Sequence, residues 1–552
     1  MSRKKNATVI DLLSPEARAA AEAIDPTRVP IQISVNEHAV NDAVIEALGR
    51  ATSIYTRNHQ LVEILWADDE LGQGPVIRPL TVSRTREIIT TVCQFLKRKE
   101  TQVVAAHPPD WCVAAVHGRG VWARVRPIVG VLEAPALRPD GSIIQDQGYD
   151  MATGYVLVPS ADFPRVPECP TREDAQRALR SLSDVFCDFP HATEADLFVI
   201  VACILTVLAR PAIRGAVPAF VIRATTPGSG KGLQADAIGT IANGRPPAKM
   251  AFPVKEEERE KVLGAYALRG AGLICFDNLA SGFGGAALDR CLTAIDTVEL
   301  RILGKSEIPE LKWRSVITAT GNNPEYFGDT PRRILQSSLE PAEENPEERD
   351  EKTFAHHPLL PWVRSQRTRL VADALTVLRA HALAGRPREG LRTWGSFESW
   401  SDMVPTAIVW AGGADPMLTR PALDSTADNT KQAAAELLRC WAALDSERKG
   451  LSTAEFLGKL YRTDRHDFDD GELYADARAA TESLCRVRGG KAPDNATLGY
   501  ALRNLRRRTI AGRRLDIVSR GKGTSRWAVE PVRATVAMGV MVAMFPVPRA
   551  EI

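Results

Sequence analysis

The chain has 552 residues, 44% of them apolar and 25% charged, which excludes a disordered chain, a collagen-like repeat and a coiled-coil rod. Lysine and arginine number 70 against 68 acids, so net charge alone names no partner. Nine cysteines, an odd count with no Cys-x-x-Cys pair, argue against a disulfide framework and a zinc ribbon.

In chain order, residues 1–30 are polar and Ala-rich and read as a loose arm. They lack the long apolar stretch of a signal peptide, and no apolar run reaches transmembrane length, so a cytoplasmic protein without a membrane partner is expected. Residues 31–165 predict an N-terminal mixed α/β (α+β) domain. Asn41–Leu48 and Val82–Lys97 have helical spacing, Val121–Val131 and Gly154–Pro159 suggest short strands, and Asp140-Gly141 marks a hairpin turn. His107 and Cys112 lie close in sequence, but two potential ligands do not make a zinc site. Most cysteines stand among apolar residues and read as small core side chains.

Thr171 opens a helix with Arg172, Glu173 and Asp174 in its first turn, and Ala195–Leu208 reads as a buried helix. Residues 168–385 are expected to form a phosphate-loop ATPase domain with a helical lid. Strands and helices alternate through 218–340, the pattern of a doubly wound sheet. The apolar strand Ala219–Ala224 runs into Pro227, Gly228, Ser229, Gly230 and Lys231, and a helix continues through Gly232 and Leu233. Glycines let backbone N–H groups curl toward a phosphate, the helix N-terminus adds a positive dipole end, and Lys231 reaches the outer phosphates. Residues 227–233 are therefore the candidate ATP-binding loop. Thr225 replaces the first glycine of the usual pattern, and Gly232 stands where a hydroxyl normally holds Mg²⁺.

Downstream, Leu273–Phe276 is a buried strand ending in Asp277, a candidate Mg²⁺ ligand, and Asn278, placed to orient water. A strand at Ser315–Thr320 ends in Gly321, Asn322 and Asn323, whose amides could hold water near a γ-phosphate. Arg332 and Arg333 follow as candidate fingers for a neighbouring subunit's nucleotide. Between these strands, Val298, Leu300 and Ile302 alternate with polar residues, and Gly304-Lys305-Ser306 could tip a hairpin.

The motifs PGSGKG (227–232), LICFDN (273–278), TATGNN (318–323) and GDTPRR (328–333) together resemble an AAA+-type ATPase. More narrowly, they resemble the helicase portion of phage and mobile-element primase-helicases, close to superfamily 3 helicases. The resemblance spans roughly residues 170–385 and extends weakly upstream through residues 137–159. The resemblance implies an ATP- and Mg²⁺-dependent DNA translocase that forms a homo-oligomeric ring, a hexamer being the candidate assembly, with Lys305 reaching the DNA backbone from a channel hairpin. A separate primase is a candidate partner, since no primase centre stands before residue 160.

Residues 386–445 read as a helical connector, 446–530 as a basic winged-helix-like DNA-binding domain, and 531–552 as an apolar tail. Between 486 and 533, 13 lysines and arginines face three acids, a local charge of +10 that fits a nucleic-acid surface. Asp494 or Asn495 caps a helix through Leu498, Leu502 and Leu505 that ends at Arg506, Arg507 and Arg508. Two strands carrying Arg513 and Arg514 then flank a Gly-Lys-Gly turn.

The expected fold is multidomain α/β: a P-loop AAA+-type core, an N-terminal α+β domain and a C-terminal winged-helix-like domain. The expected function is an ATP-dependent DNA helicase or translocase in the replication of a phage, plasmid or integrated element. The alternative is a nucleotide-switched replication initiator or regulator with little turnover, which Gly232 and Asn278 favour.

Overall fold

The computed structural model describes residues 27–531 except 67–73, 101, 280–281, 302–308, 344, 422–426, 462–470, 486, 488–490 and 522–523. Lys305 and the expected apolar tail beyond Pro531 therefore lie outside the described residues. The chain divides into two compact units, residues 1–421 and 422–552.

The first unit opens with short sheets and three helices. Val29–Gln32 pairs in parallel with Cys93–Lys99, and Ile54–Arg57, Gln60–Trp66 and Pro75–Pro79 form an antiparallel meander. The helix expected over Val82–Lys97 stops at Val92. At Cys93 the chain turns extended (φ −118°, ψ 144°) and becomes a strand whose first four residues are all buried. The helical spacing holds only through Thr85, Ile88 and Ile89; burial on both faces suits a strand better. The Asp140-Gly141 turn is present between Ala136–Leu137 and Ile143–Ile144, with Asp140 Oδ1 accepting from Ser142.

The centre of this unit is a five-stranded parallel sheet. Its strands are β1 (Ala219–Ala224), β2 (Lys249–Met250), β3 (Leu273–Phe276), β4 (Val316–Asn322) and β5 (Ile334–Leu339), in the order β2-β3-β4-β1-β5. Its helices are α1 (Arg172–Asp184), α2 (Glu194–Ala209), α3 (Lys231–Asn243), α4 (Glu256–Arg269), α5 (Ala286–Thr293) and α6 (Leu359–Leu383). Successive strand residues point to opposite faces, so each strand feeds two cores. Phe220, Ile222, Cys275 and Leu335 pack with α1, α2, α3 and α6. Val221, Ile274, Phe276 and Ile317 pack with α4 and α5.

The helix α2 is apolar on every side and buried almost throughout, as such a helix must be. Its one acid in the core, Asp196, accepts from the Ser338 backbone N–H at 2.7 Å and so ties α2 to β5. Thr171 forms a full capping box with Asp174 at the start of α1. Antiparallel strands Thr297–Glu299 and Glu310–Lys312 flank the undescribed segment around Lys305.

The second unit contains α7 (Ala427–Leu444), α8 (Thr453–Leu460), α9 (Glu472–Cys485) and α10 (Asn495–Leu505), followed by β6 (Thr509–Ile510), β7 (Arg513–Gly521) and β8 (Thr524–Pro531). Its core holds Trp441 stacked on Phe456 at 3.9 Å, with the indole N–H donating to the Trp527 carbonyl. Leu451 adds a bridge to β8 at Trp527. Asp494 caps α10, and Leu498, Leu502 and Leu505 are its buried face.

Six of the nine cysteines are buried, but Cys169 and Cys187 are exposed. No helix among the described residues is long and apolar enough to cross a membrane.

Candidate nucleotide site

The carboxyl ends of β3, β4 and β1 lie side by side, because these three strands pair in parallel. Open parallel sheets bind ligands at that edge. β1 ends at Ala224, where Thr225 begins the loop; α3 starts at Lys231. Gly228 and Gly230 take positive φ angles of 76° and 87°, a region a side chain strains to enter. A Cβ at Gly230 would lie 2.7 Å from the Phe189 ring, and one at Gly228 would strike the Glu347 carboxylate. The loop curls only because both residues are glycine. Ser229 is buried, and its hydroxyl donates to the Thr226 carbonyl at 2.5 Å, bracing the loop from inside.

No side chain caps the N-terminus of α3. Its first amides, which have no carbonyl partner within the helix, are left for an anion. Lys231 sits at the same point, its ammonium 3.4 Å from the Thr226 carbonyl. Burial pushes the lysine's pKa down, while the neighbouring Asp277 carboxylate pulls it back up. Pro227, Gly228 and Leu233 are solvent-facing, and Gly232 offers no hydroxyl.

Asp277 and Asn278 are joined to β4 through one hydroxyl. Thr320 Oγ1 donates to Asp277 Oδ1 at 2.5 Å and accepts from the Asn278 backbone N–H at 3.1 Å. Asn278 takes φ 53°, so the chain bends sharply after the acid. Asn322 pairs in register with Ala224, which puts it beside the start of the glycine loop. Asn323, at φ 42°, donates its backbone N–H to the Ala224 carbonyl at 3.2 Å. Both asparagine side chains are exposed at the edge. The structure thus brings together Lys231, Asp277, Asn278, Asn322 and Asn323.

The two arginines diverge. Arg333 forms an ion pair with Asp289 at 2.7 Å, and Asp289 also accepts from Thr330 Oγ1 and the Asp329 backbone N–H. Arg333 therefore locks its own segment onto α5. Arg332 is exposed and joined to no described acid. In the second unit, Arg506 and Arg507 both engage Asp516, at 2.7 and 2.9 Å, and these hydrogen bonds hold its carboxyl well below the usual range. Arg508 and Arg514 are exposed, Arg513 is half-buried, and none of the three is paired with a described acid.

Sequence reasoning missed the neighbours of the loop. A cavity of about 440 Å³ opens beside Gly228–Gly230, walled by Phe189, Pro190, Leu233, Phe354 and Pro358. His191 meets the Gln234 side chain of α3 at 2.9 Å. Burial pushes the His191 imidazole down to about 4, against the pull of Asp196, so the ring is neutral. The one signal for this wall was the Phe-Pro-His run before α2. Among these residues, the Asp277 carboxylate is the group able to hold a divalent cation, and Gly232 adds no hydroxyl to it.

No family model matches the chain, and no curated protein does either. Among solved structures, the apo C-terminal region of NrS-1 is similar at 12% identity and a TM-score of 0.34, over 85% of this chain and 96% of that one. Two structures of JCV helicase, one with a bound small molecule, are similar at 15% and 14% identity with a TM-score of 0.18. They cover 46% and 48% of this chain and 75% and 72% of theirs. At such scores a likeness does not assign a function.

Proposed function

We propose that the chain is an ATP-hydrolysing DNA helicase or translocase with a nucleotide site at the carboxyl edge of the β3-β4-β1 strands. The observation that carries this is the convergence there of an uncapped helix N-terminus, Lys231 and the paired Asp277–Thr320. Loop amides and Lys231 bind the phosphates. Bound Mg²⁺ neutralises phosphate charge, and Asp277 is the residue to hold it. Asn278, Asn322 and Asn323 orient water, since an amide is a poor base. The cavity beside Gly228–Gly230 combines apolar walls at Phe189, Leu233 and Phe354 with the polar side chains of Asp188, Glu347 and Arg349, and we assign the apolar part to the base. Arg332 is free to reach a neighbouring subunit's nucleotide in an oligomer; Arg333 keeps its segment in place.

The second unit supplies the DNA contacts. Its order, helix, one bridged residue, helices and a long hairpin, supports the winged-helix-like reading, with Arg508, Arg513 and Arg514 as phosphate contacts. Strand displacement from a forked DNA duplex tests the motor. ATP-dependent displacement, lost in Asp277→Ala, is expected; ATP binding without displacement contradicts it.

A second reading is kept on one observation. Gly232 removes the metal-holding hydroxyl, which favours a nucleotide-switched DNA-binding initiator with slow turnover. DNA affinity that changes with ATP in the absence of hydrolysis selects that reading.

A further inference from the structure

The end of α1 carries Asp184, and the turn after it carries Cys187. His356 arrives from a segment just before α6, 172 residues beyond Asp184. The ligand atoms of these three side chains all lie within 4.8 Å of one another. His356 Nε2 stands 2.9 Å from Asp184 Oδ2.

An Asp–His ion pair alone explains two of the three positions. It does not explain why the thiol is delivered to the same point. Nor is the imidazole loosely placed: its ring is stacked on Trp362 with centroids 3.7 Å apart and planes at 16°. The backbone beneath it is held as well, because Asp188 Oδ2 accepts from the Ala355 and His356 N–H groups at 2.9 and 3.3 Å. A ring fixed by stacking and by supported backbone is the condition that orients a metal ligand before the metal arrives.

We infer that Asp184, Cys187 and His356 form a binding site for a zinc-class divalent cation. Sulfur, imidazole and carboxylate donors together select zinc and its neighbours; Mg²⁺ and Ca²⁺ prefer all-oxygen sets. Tetrahedral zinc holds its ligand atoms roughly 3.5 Å apart, so the side chains need to close by only about 1 Å. Asp184 and Cys187 are exposed, which leaves the fourth position to water. Zinc binds cysteine as the thiolate, so binding releases the thiol proton.

The site has a mechanical consequence, and that consequence rests on the nucleotide reading. Asp188 and His356 line the cavity beside the phosphate loop, on the two segments that form its walls. A bound cation staples those walls together, while binding of the cation itself requires no nucleotide.

The test uses the full chain, free of histidine tags, stripped with chelator and titrated with Co²⁺ and then Zn²⁺. One cobalt per chain is expected, with a thiolate-to-cobalt charge-transfer band that zinc abolishes. Cys187→Ser should lose the band, and His356→Gln should weaken binding at least tenfold, roughly the cost of a lost ligand contact. A cobalt spectrum without the thiolate band, or zinc binding unchanged in Cys187→Ser, overturns the site. In a second arm, zinc added to the stripped chain should change the affinity for a fluorescent ATP analogue several-fold. ATP binding that ignores zinc overturns the staple. A cobalt band without any ATP binding supports the metal site and overturns the nucleotide reading.

Discussion

Thr320 and Asp277 share a 2.5 Å hydrogen bond across two neighbouring parallel strands, and the same threonine oxygen accepts the Asn278 N–H. One hydroxyl thus fixes both the carboxylate that would meet Mg²⁺ and the sharp bend that follows it. Thr320→Val keeps the shape and removes both bonds. ATP turnover should fall by about 10- to 100-fold, with a weaker apparent affinity for Mg²⁺. Hydrolysis rates measured across a Mg²⁺ titration check this, and an unchanged Mg²⁺ dependence contradicts it.

Arg332 and Arg333 should behave differently although they are adjacent. Arg333 is an internal strut to Asp289, so Arg333→Ala should lower unfolding stability by about 2 kcal/mol. Arg332→Ala should leave stability within about 0.5 kcal/mol, as an exposed change does, and still abolish turnover. Mixing Arg332→Ala with wild type should depress activity more than dilution does. Urea melts and mixing curves separate the two residues.

His191 makes stability depend on pH. Its folded pKa of about 4 lies below the usual value of 6.5, so the neutral ring is favoured by the fold. Stability is therefore lost as pH falls below about 6.5, and the loss levels off near pH 4. Between pH 7 and pH 5, wild type should lose about 2 kcal/mol more than His191→Gln. Equal losses in the two proteins would show that the ring is not held neutral.

DNA binding should discriminate among the clustered arginines. Arg508→Ala and Arg514→Ala should each reduce the slope of log affinity against log salt by about 1. Arg506→Ala should do less, because Asp516 already engages that guanidinium. Salt titrations of duplex binding read the difference.

The sequence made the sheet edge legible because its chemistry is local. A glycine loop between strand and helix, and an acid at the end of an apolar strand, announce themselves within a few residues. The caps at Thr171 and Asp494 were legible for the same reason. Three things were not. The strand at Cys93 hid behind helical spacing that continued from Val82. The division of labour between Arg332 and Arg333 depends on Asp289, which only folding brings near. Asp184 and Cys187 precede the whole sheet in sequence and His356 follows it, so no local pattern encodes their meeting.

Steady-state ATP hydrolysis by wild type and Lys231→Ala, with and without single-stranded DNA, tests the nucleotide site most directly. Turnover stimulated by DNA and reduced at least a hundredfold in Lys231→Ala is the predicted result; a hundredfold is about 2.7 kcal/mol of barrier. Equal turnover in the two proteins, or none in either, contradicts a motor built on this loop.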